Sequence, residues 1–270
     1  MLGSTVLEVA IGLVVCYASI ALVTSSLYEA IASLFKLRAR SLLSGVKALL
    51  NDKAFTGLAK DIYNHALVNP RHTGNTPSGE EPAVKPSYIA PKDFALALID
   101  VLQRVPGGID LLKAKIDTLE DPQLRQLFQG MYARADGKIE NLETALADWF
   151  DAGMQRVSGA YKRMTQLWTF LIGLTVAGLF NVDTFRLFRV LWDHPAFIAR
   201  IAVSGGFDAA QAVANLNALP VGWDPAPPSI PLAFGGWLVT AISVLFGAPF
   251  WFDLLARLVN LRGTGQKPSG

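Results

Sequence analysis

The chain is 270 residues long, 51% hydrophobic and only 17% charged, with a net charge of +2 and a mean hydropathy of +0.34. Soluble domains carry about 25% charged residues, so the composition argues against an ordinary water-soluble globule. The near-balanced charge gives no basis for a nucleic-acid partner. The single cysteine, Cys16, lies in an apolar run, which rules out an internal disulfide and any CxxC metal spacing and marks it as a small buried side chain.

The first apolar run covers residues 6–23, interrupted by Glu8 near its outer end. Its length suits a bilayer core, which takes about 20 apolar residues. No Lys or Arg precedes it, unlike a signal peptide, so an uncleaved membrane helix is expected. The helical pattern continues through Leu27, Ile31, Leu34 and Phe35 before Lys36, Arg38 and Arg40. Residues 1–37 are therefore expected to form a transmembrane helix with a cytoplasmic extension.

Residues 38–163 read as a cytoplasmic helical domain. Ser41 is expected to cap a helix reaching Leu50, and residues 53–67 continue in helical style. A Pro, Gly, Ser, Thr and Asn cluster over 69–91 predicts a long exposed loop. Pro91 suits the first turn of a helix carrying Phe94, Leu98, Val101 and Leu102. Pro106-Gly107-Gly108 breaks it, and Ile109, Leu112, Ile116 and Leu119 then recur at helical spacing. Asp121-Pro122 starts the next helix, with Leu124, Leu127, Phe128 and Met131 on one side. Asp136-Gly137 breaks again. A last helix carries Ile139, Leu142, Leu146, Trp149 and Phe150 toward the second span. No period-2 strand pattern competes.

The second span is placed at 164–183, with Lys162 and Arg163 at its start and Trp168 at an interfacial position. Asp183 is expected to cap the following helix through amide hydrogens near Phe185 and Arg186. Residues 184–231 form an extracytoplasmic loop, helical near 184–197 and stiff over 223–228. The third span is placed at 232–252, between Trp237 and Trp251, with a kink near its end from Gly247 and Pro249. Residues 253–270 are expected to form a cytoplasmic interfacial helix and tail. Basic residues cluster after the first run, before the second and after the third. The positive-inside rule therefore puts the N-terminus outside and the C-terminus in the cytoplasm.

Two amphipathic segments flank the membrane ends. Along 250–262, Asp253, Arg257 and Asn260 share one face, and Trp251, Leu254, Leu255, Leu258 and Val259 occupy the rest, with Phe252 also assigned to the interface. Asp253 and Arg257 are spaced for an i,i+4 ion pair. Along 148–163, Trp149 and Phe150 oppose Asp148 and Asp151. Both segments suit the membrane interface, or they cover the core of the cytoplasmic domain, since an apolar face does not distinguish lipid from protein. The triplet Trp-Phe-Asp at 149–151 and again at 251–253 is read as coincidence.

Small residues form a stripe on the third span at Ala233, Gly236, Thr240, Ser243 and Gly247, and another on the second at Thr169, Gly173 and Ala177. Such stripes let helices approach closely. They serve a subunit interface or a pore lining, or else packing within one chain, and the last is preferred, with Gly173 opposite Thr240. His65, His72 and His194 cannot meet in one site on this topology. Asp61 and His65 share a helical face but lack further metal ligands. No P-loop, GxGxxG, GxSxG or HExxH occurs. No catalytic, cofactor or metal residue is assigned, and no charge sits at the centre of any run, which argues against ion-coupled transport.

The closing segment GAPFWFDLLARLVNLRG (residues 247–263), with WFDAGMQRVSGAYKR before the second span, resembles a group of bacterial multi-pass inner-membrane proteins. The likeness includes an N-terminal span ending in a basic KLRAR segment and a cytoplasmic helical region. It implies bacterial origin and this topology, and lends no catalytic residue. Together these features predict an all-α integral membrane protein with three transmembrane helices. The expected partners are the lipid bilayer and a protein, or a second copy, at the cytoplasmic face. The leading expectation is a non-enzymatic interaction or scaffold protein. The alternatives are a subunit of an oligomeric channel or membrane-perturbing assembly and, third, an interfacial enzyme acting on lipid.

Overall fold

A computed structural model describes the chain except for residues 1, 72, 104–108, 195–213, 217–218, 224–228 and 265–270. The expectations for His72, the 106–108 break and the 224–228 stretch lie outside the described residues, while the helix expected near 184–197 is shorter and ends at Asp193, with His194 non-helical after it. Among the described residues every regular element is a helix. In chain order these are α1 (Leu2–Leu34), α2 (Leu37–Leu49), α3 (Leu58–Tyr63), α4 (Pro91–Gln103), α5 (Ile109–Asp117), α6 (Pro122–Arg134), α7 (Ile139–Leu179), α8 (Thr184–Asp193), α9 (Ile230–Val244) and α10 (Ala248–Thr264).

The chain divides into two compact units, one of residues 35–162 and one combining residues 1–34 with 163–270. Local chemistry sets most of the helix ends. Asp121 caps α6, its carboxylate accepting from the Leu124 amide at 2.8 Å, with Pro122 in the first turn. Pro91 opens α4 as its fixed φ allows. Asp136 and Gly137 take φ of 51° and 69° and end the α6 region. Ser41, in contrast, lies inside α2 and caps nothing. That helix starts at Leu37, because Lys36 adopts a left-handed φ of 50° and turns the chain there.

In the 35–162 unit, α2 and α7 approach closely and run antiparallel. A Cβ on Gly45 would lie 2.8 Å from the Val157 methyls, and one on Gly153 would lie 2.7 Å from Leu49 Cδ1. Two glycines thus let the larger partners sit directly on the opposing backbone. The core gathers Leu43, Phe94, Leu98, Leu112, Ile116, Phe128, Leu142 and Phe150, all essentially buried. Phe150 stacks on Phe94 with centroids 3.9 Å apart, and Trp149 meets Phe128 edge-on at 5.5 Å.

Residues 53–67 are helical only over α3, and Asp52 holds the turn before it by accepting from the Thr56, Gly57 and Ala59 amides. The 69–91 segment is irregular, as expected, but it is not simply exposed. Asn69 is 2% exposed and donates to the Val84 carbonyl, Thr76 donates to Asn64, and Val68 and Ile89 enter the core. Side-chain to backbone bonds replace the missing helical ones, which is how a segment this long stays attached.

In the second unit α1 is the central element. Val15, Cys16, Ala18, Ile20 and Ala21 are completely buried. Among the described residues α1 is, by length and composition, the one helix long and apolar enough to cross a membrane, and up to three segments qualify if each bent pair counts as one span. The second expected span is the far part of α7, which ends at Leu179. Asn181 takes φ 45°, and α8 follows at 53° to α7.

The third expected span is not one helix with a slight kink. It breaks into α9 and α10, which bend by 93°. Gly247 supplies the cause with φ 81°, and Pro249 cannot donate to a continuing α9. α10 then packs its stripe of Ala248, Trp251, Leu255 and Leu258 against α1, the most extensive helix pairing in the unit.

Candidate functional site

Three features of the chain can carry function: a polar corner inside the second unit, the outer surface of that unit, and a groove in the 35–162 unit.

The corner forms where α7 gives way to α8 and α9 crosses them. Asp183 caps α8, its Oδ1 accepting from the Phe185 amide at 2.9 Å, as the sequence led us to expect. The Tyr17 hydroxyl of α1 donates to Thr184 Oγ1 at 3.1 Å, and Thr184 Oγ1 lies 2.9 Å from Thr240 Oγ1. Thr240 in turn lies 2.8 Å from the Val182 carbonyl. A hydroxyl carries one proton. If Thr240 gives its proton to Val182, Thr184 must be the donor to Thr240, so the bonds run in one direction from α1 to the corner. Asn181 accepts from Trp237 Nε1 at 3.1 Å and donates to the Gly222 carbonyl at 2.7 Å. Ser243 donates to Thr240, and Trp251 Nε1 donates to the Ser243 carbonyl at 2.8 Å. These groups satisfy one another, so the corner fixes the broken helices in place.

The small-residue stripe on α9 faces this corner. Ala233, Gly236, Thr240 and Ser243 are all buried within the chain. Gly247 is half-buried and forms the bend rather than a packing face. On α7, Gly173 and Ala177 are buried and Thr169 is half-buried. The pairing register differs from the expected one. Thr240 meets Val182 and Thr184, while a Cβ on Gly173 would lie 3.6 Å from Val244 Cβ. Spacing along one helix fixes a face but not the axial register, and the bend at residues 180–183 sets that here. Disulfides need Cβ atoms about 3.5–4.5 Å apart. Gly173→Cys with Val244→Cys, in a Cys16→Ser background, should therefore give an intrachain disulfide on a non-reducing gel. The Gly173 and Thr240 cysteine pair should give much less. The reverse order would refute this register.

The proposed interfacial residues separate. Trp149 and Phe150 belong to the aromatic core of the 35–162 unit, where Phe150 is 1% exposed, so they do not offer a face to lipid. Their apolar stripe looked the same in sequence because core and lipid select the same side chains. Trp251 is buried against Tyr17 at 4.9 Å and Phe252 is half-buried. Asp253 and Arg257 are exposed but do not form the expected ion pair among the described residues. His65 Nε2 lies 3.4 Å from Asp100 rather than pairing with Asp61. No cluster of three metal-binding side chains occurs among the described residues.

The outer surface of the second unit is densely apolar. Leu167, Trp168, Leu171, Leu179, Phe180, Phe188, Phe234, Ile242, Phe246 and Phe250 are among its exposed side chains. Among the described residues of the 35–162 unit the exposed large apolar side chains are only Phe35, Leu67, Tyr88, Leu111 and Ile139. A monomeric soluble surface rarely carries contiguous apolar area on the first scale.

The groove, about 500 Å³, lies in the 35–162 unit between the start of α2, the turn before α4 and residues 150–161 of α7. Arg38, Asp151, Ser41 and Ser158 give it a polar rim, and Leu42, Met154 and Val157 an apolar floor. Sequence reasoning missed it, because its residues come from three separate stretches. Elsewhere in this unit, Lys85 at 3.1 Å and Lys47 at 3.6 Å flank Glu81, and the Lys85 contact holds that carboxyl below its usual range. Burial, with the Glu81 charge adding, pushes the Tyr63 phenol up, so it stays neutral.

Comparison with known protein families, curated proteins and solved structures finds no match to this chain.

Proposed function

We propose that the chain is a non-enzymatic membrane protein of the bacterial inner membrane. Segments within residues 1–34, 164–183 and 232–252 cross the bilayer, residues 184–231 lie outside, and the helical unit of residues 35–162 is held at the cytoplasmic face as an interaction or scaffold domain. The observation that carries this reading is the contrast in surface. One unit is apolar outside as well as inside, and the other is apolar inside and polar outside. A bilayer is the solvent that suits the first. Backbone satisfaction points the same way, since lipid-exposed segments must be helical. The sidedness proposed is N-terminus outside and residues 35–162 inside, from the basic residues at 36–40 and 162–163.

The α9–α10 pair bears on the C-terminus. At about 1.5 Å per residue, the 15 residues of α9 reach about 22 Å, short of the roughly 30 Å core. A crossing there needs the first turns of α10, and the proposal places the C-terminus in the cytoplasm. Thiol labelling of intact cells in a Cys16→Ser background tests the arrangement. A cysteine at Asp193 should react with an impermeant reagent, and cysteines at Ser78 and Arg257 should react only after lysis. Labelling of Ser78 from outside would overturn the topology. Labelling at Arg257 alone would make α9–α10 a re-entrant hairpin.

A second reading draws on α10. Asp253 and Arg257 stay exposed on a helix packed along α1. Charges beside apolar spans seek water or one another, as they would along the lining of an oligomeric channel. Steps of conductance in planar bilayers, lost in Asp253→Asn and Arg257→Gln, would favour it.

A further inference from the structure

The groove of the 35–162 unit holds two opposite charges that do not pair. Arg38 makes no ion pair or hydrogen bond with the described residues, and Asp151 accepts only from Gln155 Nε2, at 2.8 Å. Both line the same recess of about 500 Å³, over a floor of Leu42, Met154 and Val157 and beside the exposed ring of Tyr88. A cation and an anion with free valences, set apart on one apolar floor, match a small zwitterion with a short apolar stem. A pure anion would meet Asp151 unfavourably, and a pure cation would meet Arg38.

The geometry points to a phosphoethanolamine group as the occupant, its phosphate held by Arg38 and its ammonium by Asp151. A guanidinium is well suited to phosphate oxygens, and an ammonium with three protons can donate to a carboxylate. The source we assign is a phospholipid headgroup, with the first carbons of its glyceride on the apolar floor. This rests on the membrane reading above. Arg38 follows Leu34 by four residues and Tyr161 precedes Arg163 by two, so residues lining the groove adjoin the proposed spans in the sequence.

Native mass spectrometry of the full chain in detergent tests this with four probes: phosphatidylethanolamine, phosphatidylcholine, phosphatidylglycerol and soluble O-phosphoethanolamine. Phosphatidylethanolamine should be retained about tenfold more tightly than the choline and glycerol lipids, because neither of those presents an ammonium that can donate to Asp151. Arg38→Gln should weaken it about tenfold. Asp151→Asn should abolish the preference over phosphatidylglycerol. Both variants should keep the parent's melting temperature, since neither side chain supports the fold. Parent-like binding by both variants overturns the proposal. Soluble O-phosphoethanolamine binding as tightly as the lipid overturns the lipid source and leaves the zwitterion site. If the chain fractionates away from membranes yet binds the group through Arg38 and Asp151, the membrane reading fails and the site stands.

Discussion

Gly236→Leu is expected to destabilise strongly the unit built from residues 1–34 and 163–264 and to lower its folded yield. A Cβ at this position would fall on the Asp183 carboxylate, 2.6 Å from its Cγ and 3.1 Å from the Thr184 amide nitrogen. Neither neighbour can yield cheaply. Asp183 is held by its bond to the Phe185 amide, and Thr184 is tied to Tyr17 and Thr240. Accommodating leucine would separate α9 from the corner, breaking buried hydrogen bonds as well as packing. Overpacking and unsatisfied buried polar groups each cost about 1–3 kcal/mol, so a loss of about 3–5 kcal/mol is expected against a total of roughly 5–15. Monodisperse yield in mild detergent reads the effect. Gly173→Ala is the contrast, since its Cβ meets Val244 at an ordinary 3.6 Å and should be tolerated. Normal yield of Gly236→Leu would show that α9 does not pack on the corner as described.

Phe150→Ala should destabilise the 35–162 unit by about 3–5 kcal/mol, the usual cost of emptying a buried aromatic site. Phe150 is 1% exposed and stacks on Phe94 at 3.9 Å. The loss should appear as a lowered melting temperature in the full chain and as early proteolysis within residues 35–162. This separates two accounts that the sequence left open. An interfacial Phe150 would leave stability unchanged and weaken membrane contact instead. A change under about 1 kcal/mol would contradict the core placement.

Local signals were the legible part of this sequence. Asp121-Pro122, Pro91, Asp183 and Asp136-Gly137 each act through the next few backbone groups, and each sits at a helix end where its chemistry puts it. The apolar runs likewise marked the helices that pack around α1. What was not legible depends on distant partners. Gly247 with Pro249 announced a kink, but its size of 93° is set where α10 finds α1. The stripes at Gly173 and Gly236 announced close packing, but not that Gly173 meets Val244 while Gly236 meets Asp183. Asn69 and Thr76 looked like loop residues until Val84 and Asn64 were seen beside them. The groove around Arg38 and Asp151 could not be found from spacing at all, because its walls come from three distant stretches, with Arg38 and Asp151 more than a hundred residues apart in the chain.

The central claim is that one unit has lipid for solvent and the other has water. Spin labels placed singly at outward-facing apolar positions of the chain in bilayers test it most directly. Leu171 and Ile242 represent the unit proposed to lie in lipid, Leu111 and Ile139 the 35–162 unit. The account predicts that molecular oxygen, concentrated in lipid, relaxes the labels at 171 and 242 while a water-soluble nickel chelate does not reach them. At 111 and 139 the chelate should dominate. Equal access of the chelate to all four positions would contradict the account.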